Sequence, residues 1–207
     1  MADVRLNPVF EAFKKQIGDL VFYEYNGKTR VRRKGIPKNP KTAKQVLVRN
    51  SLAELVRDWA SMNGIMHMGW QAWASKKKRK GNNAYSSENF DKQRAGEPVE
   101  LFKQLGTLKL SSFSALPGQS GEITCSFEIT GGSSGRFINF FTKRRDSETE
   151  YEGFTMHSSG ISPESPFTIN GLIPGAEYFV YAAVTDAEYD NATEVSASTG
   201  VICTAGN

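Results

Sequence analysis

Two histidines and two cysteines are the only side chains of this 207-residue sequence that ordinarily titrate or attack near neutral pH. His67 stands in "IMHMGW" and His157 in "FTMHSS", each alone in its stretch. Cys125 and Cys203 neighbour neither histidine in sequence, and no metal-ligand spacing is present, so neither a thiol–imidazole pair nor a zinc site is read here. Gly131-Gly132 followed by Ser133-Ser134-Gly135 is glycine-rich but lacks the lysine and helix of a phosphate-binding loop, and reads as a hairpin loop. The acidic run "DSETEYE" reads as a charged edge strand rather than a cation site. Trp59, Trp70 and Trp73 recur at helical spacing among apolar residues, which assigns them to a core. No catalytic constellation is read, so no enzymatic activity, metal, cofactor or small-molecule substrate is expected.

What remains is charge. "VFYEYNGKTRVRRKGIPKNPKTAKQ", residues 21–45, carries eight lysines and arginines in twenty-five positions. Arg30, Arg32, Arg33 and Lys34 form one dense cluster, and Lys76, Lys77, Lys78, Arg79 and Lys80 form another. Such clusters neutralise phosphates or carboxylates and give salt-dependent affinity without catalysis. Residues 1–105 hold 21 Lys+Arg against 10 Asp+Glu, and residues 106–207 hold 5 against 12, so net charges of +11 and −7 make up the overall +4. That polarity fits opposite partners for the two halves, head-to-tail contact between copies, or two independently solvated modules.

The elements that must carry these residues follow from pattern. "NPVFEAFKKQIGD" reads as a short helix, with Asn7 as cap, Pro8 in the first turn, Phe10, Phe13 and Ile17 on one face, and Gly18 as its stop. "LVFYEYNGKTRVRR" reads as a hairpin around Asn26-Gly27, because both central residues of a type I′ turn need positive φ. Alternation puts Val21, Tyr23 and Tyr25 on one face of the first arm, and Lys28, Arg30 and Arg32 on one face of the second. Thr42 and Gln45 form a capping-box pattern that opens a long helix with a buried stripe of Val48, Leu52, Leu55, Val56, Trp59 and Met62, ended by Asn63-Gly64. A second helix follows in "IMHMGWQAWASKKKRK", with Met66, Trp70, Trp73 and Ala74 aligned and Lys76 to Lys80 in its last turn. A third spans about Ala84 to Arg94 and offers Tyr85 and Phe90 to the same core.

Beyond "QRAGEPVE" the pattern changes to seven short strand-like runs: "TLKLSSFSA", "GEITCSFEIT", "RFINFFTKRR", "EYEGFTMHS", "FTING", "EYFVYAAVTD" and "STGVICTA". Seven short strands in about a hundred residues point to a β-sandwich. The expected fold class is therefore two domains. A small α+β domain of hairpin plus helices (1–95) and a linker (96–106) precede an all-β sandwich (107–207). Both cysteines lie in apolar strand-like runs and are expected as buried thiols, a bridge between them being the lesser expectation. No apolar run reaches the eighteen residues of a membrane span, and the opening residues lack a secretory pattern, so membrane association is not expected and production in a cytoplasm is.

Leu172, Pro174, Gly175 and Tyr178 in "LIPGAEYFVYAAV" match the L-x-P-G-x-x-Y tyrosine-corner pattern, and residues 107–205 resemble a fibronectin type III module. Phe127 stands where that family commonly has Trp. The resemblance implies an immunoglobulin-like sandwich used as a spacer or binding module. Residues 17–95 resemble an uncharacterised family of small proteins from bacterial genomes and prophage-like loci. The likeness lies in an aromatic hairpin ending in Gly-Lys, a basic strand, a Pro-x-x-Pro-x-Thr-x-x-Gln helix start, and a later Asn/Tyr/Phe helix in which Asn82, Asn83 and Tyr85 are more loosely arranged. Together these imply a structural protein of a phage or virus-like particle, as a capsid, tail or decoration component. Its partners would be copies of itself, other particle proteins and, through the basic half, nucleic acid. The alternatives are a cytoplasmic nucleic-acid-binding protein and an extracellular filament subunit or adhesin.

Overall fold

The structure is a computed structural model that describes residues 2–3, 15–36, 39, 41–62, 64–145 and 152–207. Its contacts divide the chain into two units, Met1–Thr42 and Ala43–Asn207.

The first unit is a four-stranded antiparallel sheet in the order β1-β4-β3-β2, with β1 Ala2–Asp3, β2 Lys15–Ile17, β3 Leu20–Tyr25 and β4 Lys28–Arg33. Asn26 and Gly27 take φ of 52° and 70°, the two positive values that a type I′ turn requires. This turn sets Tyr25 directly opposite Lys28. Asn7, Pro8, Phe10 and Phe13 of the expected first helix lie outside the described residues. Ile17, assigned to that helix, is instead in β2 opposite Leu20, and Gly18 at φ 56° begins the turn into β3 rather than stopping a helix. The Lys34 amide closes the far end by donating to the Asp19 carbonyl at 2.7 Å.

The second unit begins at α1, Ala43–Ser61, which starts directly after Thr42. Next come α2, Ile65–Ser75, and α3, Gly81–Ala95, which starts three residues earlier than its apolar positions indicate. The seven expected strands all form: β5 Leu110–Pro117, β6 Ile123–Ile129, β7 Phe137–Arg144, β8 Thr155–Ile161, β9 Phe167–Ile169, β10 Glu177–Thr185 and β11 Thr199–Thr204. They make two antiparallel sheets, β5-β6-β9 and β11-β10-β7-β8, and so a three-on-four sandwich. Ile123, Cys125, Ile138, Phe140, Ile169, Val180, Ala182 and Val184 fill the space between them.

The helices belong with the sandwich, which corrects the expected boundary. Leu55, Met66, Trp70, Ala74 and Tyr85 from the helices share one core with Phe141 of β7 and with Tyr181 and Ala183 of β10. The residues of those two strands that point away from the sandwich interior thus meet helix instead of water. Residues 96–106 are not a linker. Val99, Leu101 and Phe102 are buried in the same core. The Leu101 and Phe102 amides donate to Ser198 Oγ at 2.8 and 3.0 Å, the Val99 amide donates to Tyr181 Oη, and Trp70 Nε1 donates to the Leu101 carbonyl at 2.9 Å. An interdomain linker would leave such groups in solvent; here every one has a partner within the fold.

A buried ion pair fastens α1 to the outer sheet face. Lys143 Nζ of β7, only 6% exposed, lies 2.9 Å from Asp58 Oδ1 and 2.7 Å from Glu54 Oε1. Asp58 is 1% exposed. Facing Lys143 consumes one face of α1, with Ser51, Leu55 and Asp58 turned inward and Met62 buried just past its end. The stripe read from periodicity is therefore split. Leu55 and Met62 are buried and Trp59 is half-buried, but Val48, Leu52 and Val56 are 41%, 45% and 55% exposed.

Candidate anionic-partner interface

The β3–β4 register builds the most charged face of the first unit. Val21 stands opposite Arg32, Tyr23 opposite Arg30 and Tyr25 opposite Lys28, so three cations and two tyrosines share one side of the hairpin. The Arg30 guanidinium carbon sits 4.9 Å from the centroid of the Tyr25 ring, a cation–π contact. Tyr25, Lys28 and Arg32 are exposed, and Tyr23 and Arg30 are half-buried. Arg33 pairs with Leu20 on the opposite face, and Lys34 follows the end of the strand. The cluster Arg30, Arg32, Arg33 and Lys34 is thus divided between faces. Sequence reasoning set Lys28 on one face with Arg30 and Arg32 but did not join Tyr23 and Tyr25 to that face. The two-residue Asn-Gly turn was the available signal, because it fixes which residues oppose one another.

The second cluster lies in the other unit. Lys76, Lys77, Lys78, Arg79 and Lys80 are all exposed and form the connection between α2 and α3, not the last turn of α2 as expected. The helix stops at Ser75 because the Lys77 and Arg79 amides both fold back to the Ala74 carbonyl and Lys78 takes φ 55°. Lys77 is partly committed, with its Nζ 4.0 Å from the Trp73 ring centroid and 3.8 Å from Glu88 Oε1.

The nucleophile candidates have structural partners. Cys125 and Cys203 are buried free thiols. Burial, and secondarily Cys203, pushes the Cys125 thiol up to about 12, and burial raises Cys203 as well. Both are therefore protonated at neutral pH and poor nucleophiles. The His67 ring stacks on Trp59 at 4.1 Å, with Nε2 3.0 Å from the Trp59 carbonyl oxygen. His157 Nε2 lies 3.1 Å from Thr142 Oγ1, and burial lowers its pKa. Among the described residues no group of three or more His, Cys, Asp or Glu could hold a metal ion, and no helix is long and apolar enough to cross a membrane. Residues 146–151 of the acidic run lie outside the described residues; Glu152 is 3.4 Å from Arg144 Nη2. Gly131, Gly132 and Gly135 connect β6 to β7 with positive φ, as loop glycines do.

The tyrosine corner is built from the residues that match its pattern. Leu172 packs against the sandwich core, Pro174 and Gly175 turn the chain, and Tyr178 Oη accepts the Ile173 amide proton at 3.0 Å. Tyr178→Phe keeps the ring and removes this acceptor, so it is expected to cost about 1 kcal/mol in urea unfolding with an unchanged m-value. A change in m would show instead that the corner shapes the denatured state.

No family model matches the sequence, and no curated protein matches it. The resemblance of residues 17–95 to prophage-encoded proteins therefore has no counterpart in these comparisons. Solved structures do align with about half the chain. The FN5 domain of Drosophila Lar is 13% identical over 48% of this chain and 96% of its own length, with a TM-score of 0.36. A structure described as a myokine is 8% identical over 48% of this chain and 97% of its own, with a TM-score of 0.37. A family 76 glycoside hydrolase from a bovine Bacteroides thetaiotaomicron strain is 12% identical over 47% of this chain, with a TM-score of 0.38, and the match spans only 20% of that enzyme. At these identities and scores the neighbours say nothing of activity or ligand. The fibronectin-like character of the sandwich rests on its own three-on-four strand order and its tyrosine corner.

Proposed function

We propose that this chain is a non-enzymatic structural protein of a phage or virus-like particle. Its basic sheet anchors on an anionic surface of the particle or its nucleic acid, and its helix-backed sandwich contacts neighbouring subunits. The observation that carries this reading is the face on which Lys28, Arg30 and Arg32 stand opposite Tyr25, Tyr23 and Val21. Cations set at alternate positions of a short ribbon, about 7 Å apart along the strand, match a row of phosphates or carboxylates better than a single charged substrate. Aromatic rings between them add apolar contact area that solvated charge alone does not need.

Replacing Lys28, Arg30 and Arg32 together by alanine tests it. Binding to duplex DNA, used as a polyanion of known charge spacing, is expected to weaken, and its log–log salt slope to fall by about 3 for three lost phosphate contacts. Arg33→Ala, on the opposite face, serves as the comparison and is expected to change little. Equal effects from both variants would mean that net charge, not this face, makes the contact. The second reading, a cytoplasmic nucleic-acid-binding protein, draws on Tyr25, since an exposed ring beside cations also stacks bases. It requires no self-assembly, and that difference separates the two.

A further inference from the structure

The apolar stripe that α1 leaves in solvent forms one wall of a groove, independent of the basic sheet. Val48, Leu52, Val56 and Trp59 of α1 face Phe90 and the asparagine and serine side chains of α3 across a space of 760 Å3. The stripe covers three turns, about 16 Å at 1.5 Å per residue. We propose that this groove is a docking site for an amphipathic helix of another protein, one whose apolar residues recur at i, i+3/i+4 and i+7 and whose flanks are acidic. A groove between two packed helices, with one apolar wall, accepts the side-chain row of a third helix.

Charge selects the partner. No carboxylate lines the groove. Every acidic residue of α1 and α3 is ion-paired within the unit: Glu54 and Asp58 with Lys143, Glu88 with Lys77, and Asp91 with Arg94. Beyond Val48 the surface continues over Lys44 and Arg49, both exposed. A helix seated here meets positive charge at the Val48 end of the groove, so an acidic flank there is attracted and a basic one repelled. A second copy does not supply that helix from the described residues. Its α2 has no acidic residue, its α1 would bring Lys44 and Arg49 against the same basic margin, and its α3 has both carboxylates paired and ends on Lys92 and Arg94.

The test uses two labelled synthetic helical peptides of about 18 residues with identical leucine rows, one flanked by glutamate and one by lysine. Fluorescence anisotropy with the full chain is expected to show micromolar binding of the glutamate peptide and at least about tenfold weaker binding of the lysine peptide. Leu52→Glu alters an exposed side chain, so circular dichroism and Tm should stay near wild type while glutamate-peptide binding falls by about tenfold or more. Lys44→Glu with Arg49→Glu should narrow the preference between the peptides without unfolding. Equal binding of the two peptides, binding of neither, or binding indifferent to Leu52→Glu would overturn the proposal. So would a dimer of the wild-type chain that Leu52→Glu converts to monomer, since a second copy would then be the occupant.

Discussion

Lys143→Ala is expected to destabilise the second unit by about 3–5 kcal/mol, read as a lower urea midpoint with similar m. Lys143 is 6% exposed and its ammonium holds Asp58, itself 1% exposed, at 2.9 Å. Removing it strips a buried carboxylate of its Lys143 counter-ion, and that burial dominates the cost rather than the attraction lost. Glu54, the second carboxylate on Lys143, sits nearer solvent at 37% exposure and rehydrates with less penalty. Because the origin is the orphaned charge, combining Lys143→Met with Asp58→Leu should recover much of the loss. A double variant no more stable than Lys143→Ala would show that the pair itself supplies the stability. Either change also loosens α1 from β7 and should raise hydrogen exchange in α1 more than in β6.

The second large effect concerns where the chain can be cut. A fragment starting at residue 96 contains every strand of the sandwich, yet is expected to be insoluble or molten. It lacks the helices that cover Phe141, Tyr181 and Ala183, and it leaves Val99, Leu101 and Phe102 without a second wall. Exposing several large side chains at about 1.5–3 kcal/mol each is comparable to the whole stability of a typical domain. A fragment of residues 43–207 keeps both cores and is expected to unfold cooperatively. Equal, sharp unfolding transitions for the two fragments would show that the sandwich is self-sufficient and that the helices only decorate it.

Much of this fold was legible because its local signals agree. Asn26-Gly27 announced a type I′ hairpin, and the seven strand-like runs, punctuated by turn residues, announced the sandwich. Leu172, Pro174 and Tyr178 identified its corner, whose hydroxyl takes the Ile173 amide. Most of the misreadings concern what covers what. "EYFVYAAVTD" is a nearly continuous apolar run rather than an alternating one, and a strand of that kind is buried on both faces. That continuity was the available sign that helices lie over the outer sheet. Periodicity marked α1 as amphipathic but could not say which flank of a broad apolar sector turns inward. Asp58 and Lys143, far apart in sequence, decide it by pairing, and Val48, Leu52 and Val56 are left in the groove wall. The cation–tyrosine face was within reach, since the two-residue turn already set its register.

Sedimentation velocity of the nuclease-treated full chain, with and without random duplex DNA at low and moderate salt, tests the structural-subunit reading most directly. Discrete large assemblies that form without DNA are the predicted result. A chain that stays monomeric at every concentration, shifts only when DNA is added and loses the shift as salt rises would contradict it and leave nucleic-acid binding as the function.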